Sequence, residues 1–132
     1  MIRTLKLLLT ILVCLSVACQ NGPAQPKKHA VSGTVTLDSK PLSETGVIYF
    51  KTIATGDIDA IEIKDGKFSG SAIPGERRVE IVVYRVIMQD LNGMKGEVKE
   101  NLIPPRYNSE TTLTAKVTPE GPNQFPFELT SM

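Results

Sequence analysis

Alternation of apolar and polar residues with a period of two is the feature that most constrains the fold of this chain. It recurs in short segments from residue 30 to the end, and Gly, Pro, Asp and Ser are common between the segments. Alternation places every second side chain of a strand on the same face of a sheet. Short alternating runs separated by turn residues are typical of antiparallel sheets. The pattern therefore predicts an all-β domain.

Seven segments carry the strand signal, and Asp65-Gly66 between two of them predicts a tight hairpin because Gly accepts a positive φ. Two-layer packing would bury the apolar face of each strand, so we expect an antiparallel two-sheet sandwich. Pro126 lacks an N–H, which predicts that the last strand is an edge strand. The predicted strands are 31–37, 47–51, 57–64, 67–71, 78–87, 113–117 and 125–129.

Two segments before the last strands lack this alternation. Residues 88–101 are polar and contain two glycines, so we expect a long loop there. Residues 102–107 contain adjacent prolines, which remove N–H donors and fix φ. The second segment is therefore predicted to be irregular.

The N-terminal segment has the order of a secretory signal. Arg3 and Lys6 precede an apolar run from residue 7 to residue 18, which ends in small residues. The run is shorter than the ~20 residues that a membrane-spanning helix needs. The segment predicts export, and a transmembrane anchor is the less favoured interpretation.

The end of this segment, Leu15-Ser16-Val17-Ala18-Cys19, resembles the cleavage motif of bacterial lipoproteins, in which a small residue precedes an invariant Cys. Ala18 matches the motif, whereas Ser16 stands where Leu or Val is preferred, so ordinary signal cleavage near Ala18 is the alternative. The resemblance implies a signal peptide at 1–18 and a lipid on Cys19. The mature chain would then lie outside the cytoplasm, tethered to a bacterial membrane, with a polar linker at 19–29 and the β domain at 30–132.

The charge balance disfavours nucleic acid as a partner. Of 15 basic residues, two lie in the signal, which leaves 13 against 14 acidic residues and a net charge of 13 − 14 = −1. Such a chain has no basic stripe to follow a phosphate backbone. The only cysteines are Cys14 and Cys19, so the β domain has no disulfide, thiol nucleophile or Cys metal site.

Two pairs of motifs resemble carboxypeptidase-regulatory-like domains. The first pair is Val31-Ser32-Gly33-Thr34-Val35 with Lys40-Pro41-Leu42, and the second is Asp65-Gly66-Lys67-Phe68 with Ile73-Pro74-Gly75. The segments 103–108, 113–117 and 123–129 are similar to the C-terminal half of small lipoproteins that are abundant in planctomycete bacteria. The resemblance implies a transthyretin-like (prealbumin-like) sandwich with an accessory or binding role in the cell envelope.

The chain departs from the family pattern at two positions. Ser39 stands where the family often has Gly, so we expect the turn there to use another geometry. Arg77 stands where a Tyr usually follows Pro-Gly, so we expect an aromatic core contact to be lost or moved to Tyr84.

No catalytic or metal-binding set of residues emerges, so the chain is predicted to be non-enzymatic and to need no cofactor. His29 is the only histidine, and one His supplies neither a metal site nor a triad. Asp57, Asp59, Glu62 and Asp65 form an acidic cluster that we interpret as a solvated face. A hydrolase with an unrecognised site is the least favoured alternative.

The most distinctive segment of the domain is 103–108. Arg106, Tyr107 and Asn108 could present a stacking ring and hydrogen-bond donors to a sugar or a peptide, which makes envelope polysaccharide or protein a candidate partner. The alternative is that the prolines steer the chain across the end of the sandwich while Tyr107 packs over the core.

Overall fold

The computed structural model describes residues 22–132, so the predicted signal peptide, Cys19 and the first part of the linker lie outside the described residues. The chain is all-β, as the alternation predicts. None of the helical structure described within 22–132 is long and apolar enough to cross a membrane. The elements are β1 (His29–Leu37), β2 (Lys40–Pro41), β3 (Gly46–Lys51), β4 (Ile58–Lys64), β5 (Lys67–Ala72), β6 (Gly75–Leu91), β7 (Met94–Asn101), a 3₁₀ turn (Pro105–Tyr107), β8 (Thr114–Val117) and β9 (Gln124–Leu129).

The strands belong to one curled sheet with the order β2-β1-β5-β4-β3-β6-β7, in which β8 also pairs with β6 and β9 also pairs with β1. Every described pairing is antiparallel except that of β1 with β9, which is parallel. Within 22–132, β9 pairs with no strand other than β1, so it is an edge strand, as Pro126 predicts. The curl turns the apolar faces of the strands toward one another around a shared core.

The core is built from the apolar positions of the alternating strands. Four phenylalanines, Phe50, Phe68, Phe125 and Phe127, form its aromatic part, with ring centroids 6.0–6.4 Å apart in neighbouring pairs. Burial of one such side chain is worth about 1.5–3 kcal/mol. Aliphatic side chains fill the rest, and the fully buried ones include Ile48, Ile63, Ile81, Ile103, Val35 and Leu129.

Two hairpins in the first half of the domain have the same turn geometry. Asp65 and Gly66 have φ of 51° and 70°, so the predicted hairpin between β4 and β5 is confirmed. Asp38 and Ser39 between β1 and β2 have φ of 51° and 65°, although neither residue is Gly. Positive φ at both central residues defines a type I′ turn. The prediction that Ser39 changes the geometry of this turn is therefore wrong.

The predicted loop at 88–101 is also wrong. β6 continues to Leu91, Asn92 and Gly93 form a turn with φ of 58° and 88°, and β7 returns along β6 over eight residue pairs. Beyond Val83 most side chains of β6 are exposed. A two-stranded ribbon that is solvated on both faces needs no alternation, so the sequence carries no strand signal there.

Tyr84 begins this ribbon and is 55% exposed. It does not take over the aromatic core contact that the family resemblance implied, so of the two expected outcomes, loss of the contact or its transfer to Tyr84, the transfer is wrong. Arg77 occupies a fully buried position on β6.

Candidate functional site

The 103–108 loop is held from inside by an asparagine. The Asn108 side-chain amide donates to the carbonyl oxygens of Ile103 and Pro104, both at 3.1 Å. Ile103 is buried in the core, and its N–H donates to the Asn101 side chain at 3.1 Å. Asn108 is itself only 9% exposed. Of the three residues predicted to form a binding site, Asn108 therefore stabilises the conformation of the loop.

The other two residues lie together at the surface beside the segment that follows β9. The Arg106 guanidinium stacks over the Tyr107 ring, with 4.9 Å between its central carbon and the ring centroid. Arg106 Nη2 donates to the Thr130 carbonyl oxygen at 2.5 Å, to the Thr130 hydroxyl at 3.0 Å and to the main-chain oxygen of Met132. The Tyr107 hydroxyl accepts the Thr130 N–H at 3.1 Å. These contacts fix the 103–108 loop to the end of the chain.

The same contacts change the acidity of the tyrosine. The pKa of Tyr107 is lowered from 10.0 to about 8, first by hydrogen bonding to the Arg106 guanidinium and then by hydrogen bonds from Thr130. Donors and a nearby positive charge favour the phenolate over the phenol. Tyr107 is therefore expected to ionise at a lower pH than an ordinary tyrosine.

The chemistry that this surface offers is recognition. The hydrogen bonds from Arg106 to Thr130 and Met132 all come from Nη2, so these contacts do not use Nε or Nη1. An aromatic ring with guanidinium donors beside it suits stacking against a sugar or a planar peptide group. Tyr107 also packs against the edge of the core, so its ring contributes to both roles that the sequence left open.

A second cluster was not predicted. Asp59 and Arg77 form a buried ion pair, with 2.8 Å between Asp59 Oδ2 and Arg77 Nη2. Arg77 Nη2 also donates to the Phe50 carbonyl at 2.6 Å, and the Ile73 N–H donates to Asp59 at 2.9 Å. Asp59 is 3% exposed, so the interpretation of the acidic cluster as a solvated face is wrong for this member. No sequence signal links Asp59 to Arg77, which lie 18 positions apart and meet only through the fold.

The end of the predicted linker reaches this cluster. Lys28 Nζ lies 2.8 Å from Asp59 Oδ1, and Lys28 is half-exposed. Gln25 and Pro26 line a small concavity of about 200 Å³ together with residues of β4. The last linker residues therefore lie against the domain.

Two concave surfaces of the described domain lie away from Arg106. An open groove of about 680 Å³ crosses the outer face of β9, β1, β5 and β4, and Glu62, Lys64, Lys67 and Gln124 contribute polar groups to it. A smaller concavity of about 380 Å³ between β4 and β5 contains Asp59 and Glu62. Asp59 is already bonded to two cations and an N–H, which suits a structural role. In the described part of the chain no three His, Cys, Asp or Glu side chains gather as metal ligands.

In comparisons with known proteins, no family model, curated protein or solved structure matches the chain.

Proposed function

We propose that the chain is a lipid-anchored accessory domain of a bacterial cell envelope, exported by residues 1–18, acylated on Cys19 and without enzymatic activity. The observation that carries the proposal is the position of Cys19. It directly follows the apolar signal, and β1 begins at His29, ten positions later. Ten residues span at most about 35 Å, so a lipid on Cys19 would keep the domain close to the bilayer.

The fold is consistent with such a role. The described domain contains no cysteine, so it needs no disulfide to fold after export. We propose that the curl sets β5, β1 and β9 opposite β3, β6 and β8 across the core, and the contacts of the Phe50 ring with the Phe68 and Phe125 rings support this. We include in the proposal that these two groups of strands are the layers of a transthyretin-like sandwich. That arrangement would suit a rigid spacer or a binding domain.

Metabolic labelling tests the lipid. Cells that express the full chain are fed an alkyne fatty acid, and we expect label on the protein and partition into the membrane fraction. Cys19→Ala should abolish both, whereas Cys14→Ala, the other cysteine of the same segment, should leave both intact. Mass spectrometry of an unmodified mature N-terminus, or membrane partition of the Cys19→Ala protein, would refute the proposal.

A second candidate function is recognition of a glycan or peptide by Arg106 and Tyr107. The stacked pair favours it, together with the Arg106 guanidinium nitrogens that the contacts to Thr130 and Met132 do not use. A pull-down on peptidoglycan and a glycan array probe it directly. Tyr107→Ala should abolish any binding found, and Tyr84→Ala, at another exposed tyrosine, should not. Binding that survives Tyr107→Ala would exclude this site.

A further inference from the structure

The outer edge of β7 is an unpaired strand edge. Within 22–132, β7 pairs with β6 alone, in a regular register from Tyr84–Asn101 to Leu91–Met94. It contains neither a proline nor a bulge, and of the devices that stop an edge from pairing it carries only charged side chains, including Lys95 and Lys99. Its charged side chains are exposed on the faces of the ribbon. The main-chain groups along this edge are therefore available to another strand.

The hydrogen bonds identify which residues offer those groups. The Leu102 N–H donates to the directly opposite Val83 carbonyl at 2.8 Å. Bonded and non-bonded pairs alternate along an antiparallel ladder, so even-numbered residues of β7 bond inward to β6. The odd-numbered residues then direct their N–H and C=O groups to the free edge, and these residues are Lys95, Glu97, Lys99 and Asn101.

The side chains of the same residues carry a charge pattern that fits a second copy of the strand. In a two-fold symmetric antiparallel pair, the residue at the centre lies opposite its own copy. A centre at Glu97 or at Lys99 would therefore place like charges opposite each other. A centre at Val98 places Glu97 of each copy opposite Lys99 of the other, and Lys95 opposite Asn101. Opposite charges across a strand pair attract and like charges repel. A centre at Gly96 also pairs opposite charges. It brings only two of the four outward-facing residues of each strand, Lys95 and Glu97, opposite residues of the other β7.

The other face of the ribbon agrees with the centre at Val98. Ile87 and Val98 are directly opposite each other on β6 and β7, and both are half-buried. Joining two copies at Val98 would place the two valines side by side. The result is an apolar row of four side chains, Ile87 and Val98 from each copy, across a four-stranded sheet.

We propose that β7 pairs antiparallel with β7 of a second copy of this chain, with Val98 on the two-fold axis. Four outward residues from each strand would give about eight main-chain hydrogen bonds between the copies, because each facing pair exchanges two. The proposed partner of the β7 edge is thus a second copy of the protein. This pairing does not depend on a lipid on Cys19 or on ligand binding at Arg106.

Charge exchange tests the register. Glu97→Lys and Lys99→Glu each place like charges opposite one another twice, and each should weaken self-association by roughly tenfold. The double variant Glu97→Lys/Lys99→Glu restores opposite charges and should regain the original dissociation constant. Sedimentation equilibrium of the full chain in detergent measures the constant, and far-ultraviolet circular dichroism checks folding. A chain that stays monomeric at every concentration, or a double variant as weak as the single variants, would overturn the proposal.

A disulfide tests the axis independently of charge. Opposed residues of a non-bonded antiparallel pair have Cα atoms about 4.5 Å apart, within the range that a disulfide spans. In a chain with Cys14→Ser and Cys19→Ser, Val98→Cys should therefore crosslink to its own copy under mild oxidation. Gly96→Cys is the matched control, because Gly96 would face Glu100 of the other copy. A crosslink at position 96 but not at 98 would exclude this register.

Discussion

Arg77 Nη2 lies 2.8 Å from Asp59 Oδ2, and the two side chains are 0% and 2% exposed. The guanidinium also bonds to the Phe50 carbonyl, so it links β3, β4 and β6 inside the core. A charge at such a depth is costly unless a partner and hydrogen bonds replace water. Asp59 and the Phe50 carbonyl do so at Nη2, whereas Nε and Nη1 of Arg77 have no hydrogen-bond partner within 22–132. This ion pair takes the place where the family resemblance would put an aromatic side chain.

Removal of one member of this pair should be severely destabilising. Asp59→Asn leaves the Arg77 charge buried and unpaired, and Arg77→Leu leaves Asp59 with the half-exposed Lys28 as its only cation and the Ile73 N–H as a donor. Each is expected to cost about 3–5 kcal/mol in the free energy of unfolding, measured by urea denaturation.

The double variant Asp59→Leu/Arg77→Leu should cost less than the sum of the single variants, since neither charge then remains. Lys28→Met is the control and should cost at most about 1 kcal/mol, because Lys28 is half-exposed. If Asp59→Asn and Arg77→Leu each lowered the free energy of unfolding by less than Lys28→Met does, water would be shown to reach the ion pair.

Tyr107 should titrate before an ordinary tyrosine. Its pKa is about 8 in the folded chain, against 10.0 for an unperturbed tyrosine. Because the folded pKa is the lower one, the stabilisation from ionising Tyr107 is absent below about pH 8, grows between pH 8 and 10, and is complete above. Phenolate absorbance should show one early transition, which Tyr107→Phe removes and Arg106→Met shifts toward 10. An early transition that persists in the Tyr107→Phe protein would assign it to another residue.

Gly33 should tolerate no side chain. A Cβ at this position would lie 1.9 Å from the Phe125 carbonyl oxygen and 2.6 Å from the Phe68 ring. Gly33→Ala must therefore separate β1 from β9 or displace the phenylalanine, and it should cost about 1–3 kcal/mol or more. Thermal unfolding measures the loss. Gly22→Ala, with no atom within 4 Å of its Cβ, is the control and should be neutral. Equal stability of the two variants would contradict the close approach of β1 and β9.

Ser39→Gly should stabilise the domain. Ser39 has φ of 65°, a conformation that costs an L-residue with a side chain more than it costs Gly. We expect a gain of about 0.5–1 kcal/mol in the free energy of unfolding after the entropy that Gly loses on folding. Ser69→Gly in the middle of β5 is the matched control and should destabilise. A loss of stability in Ser39→Gly would mean that the turn does not have the type I′ geometry.

Much of the strand content could be predicted because alternation is a local property. The buried faces of β3, β4 and β5 follow it residue by residue, and the turn at Asp65-Gly66 follows from the φ values that Gly permits. The lipid on Cys19 and the role of Arg106 and Tyr107 remain predictions, since the first concerns a residue outside 22–132 and the second an unidentified ligand.

The short strands of this chain and most of its turns could be predicted from the residues alone, because each depends on its neighbours along the chain. Which strands pair depends on contacts between distant segments, and only the folded domain shows them. The parallel pairing of β1 with β9 joins segments far apart in the chain, and the burial of Asp59 depends on Arg77 from another strand. The part of the β6–β7 ribbon beyond residue 87 escaped prediction because most of its side chains meet water, and a strand without a buried face leaves no periodic trace in the sequence.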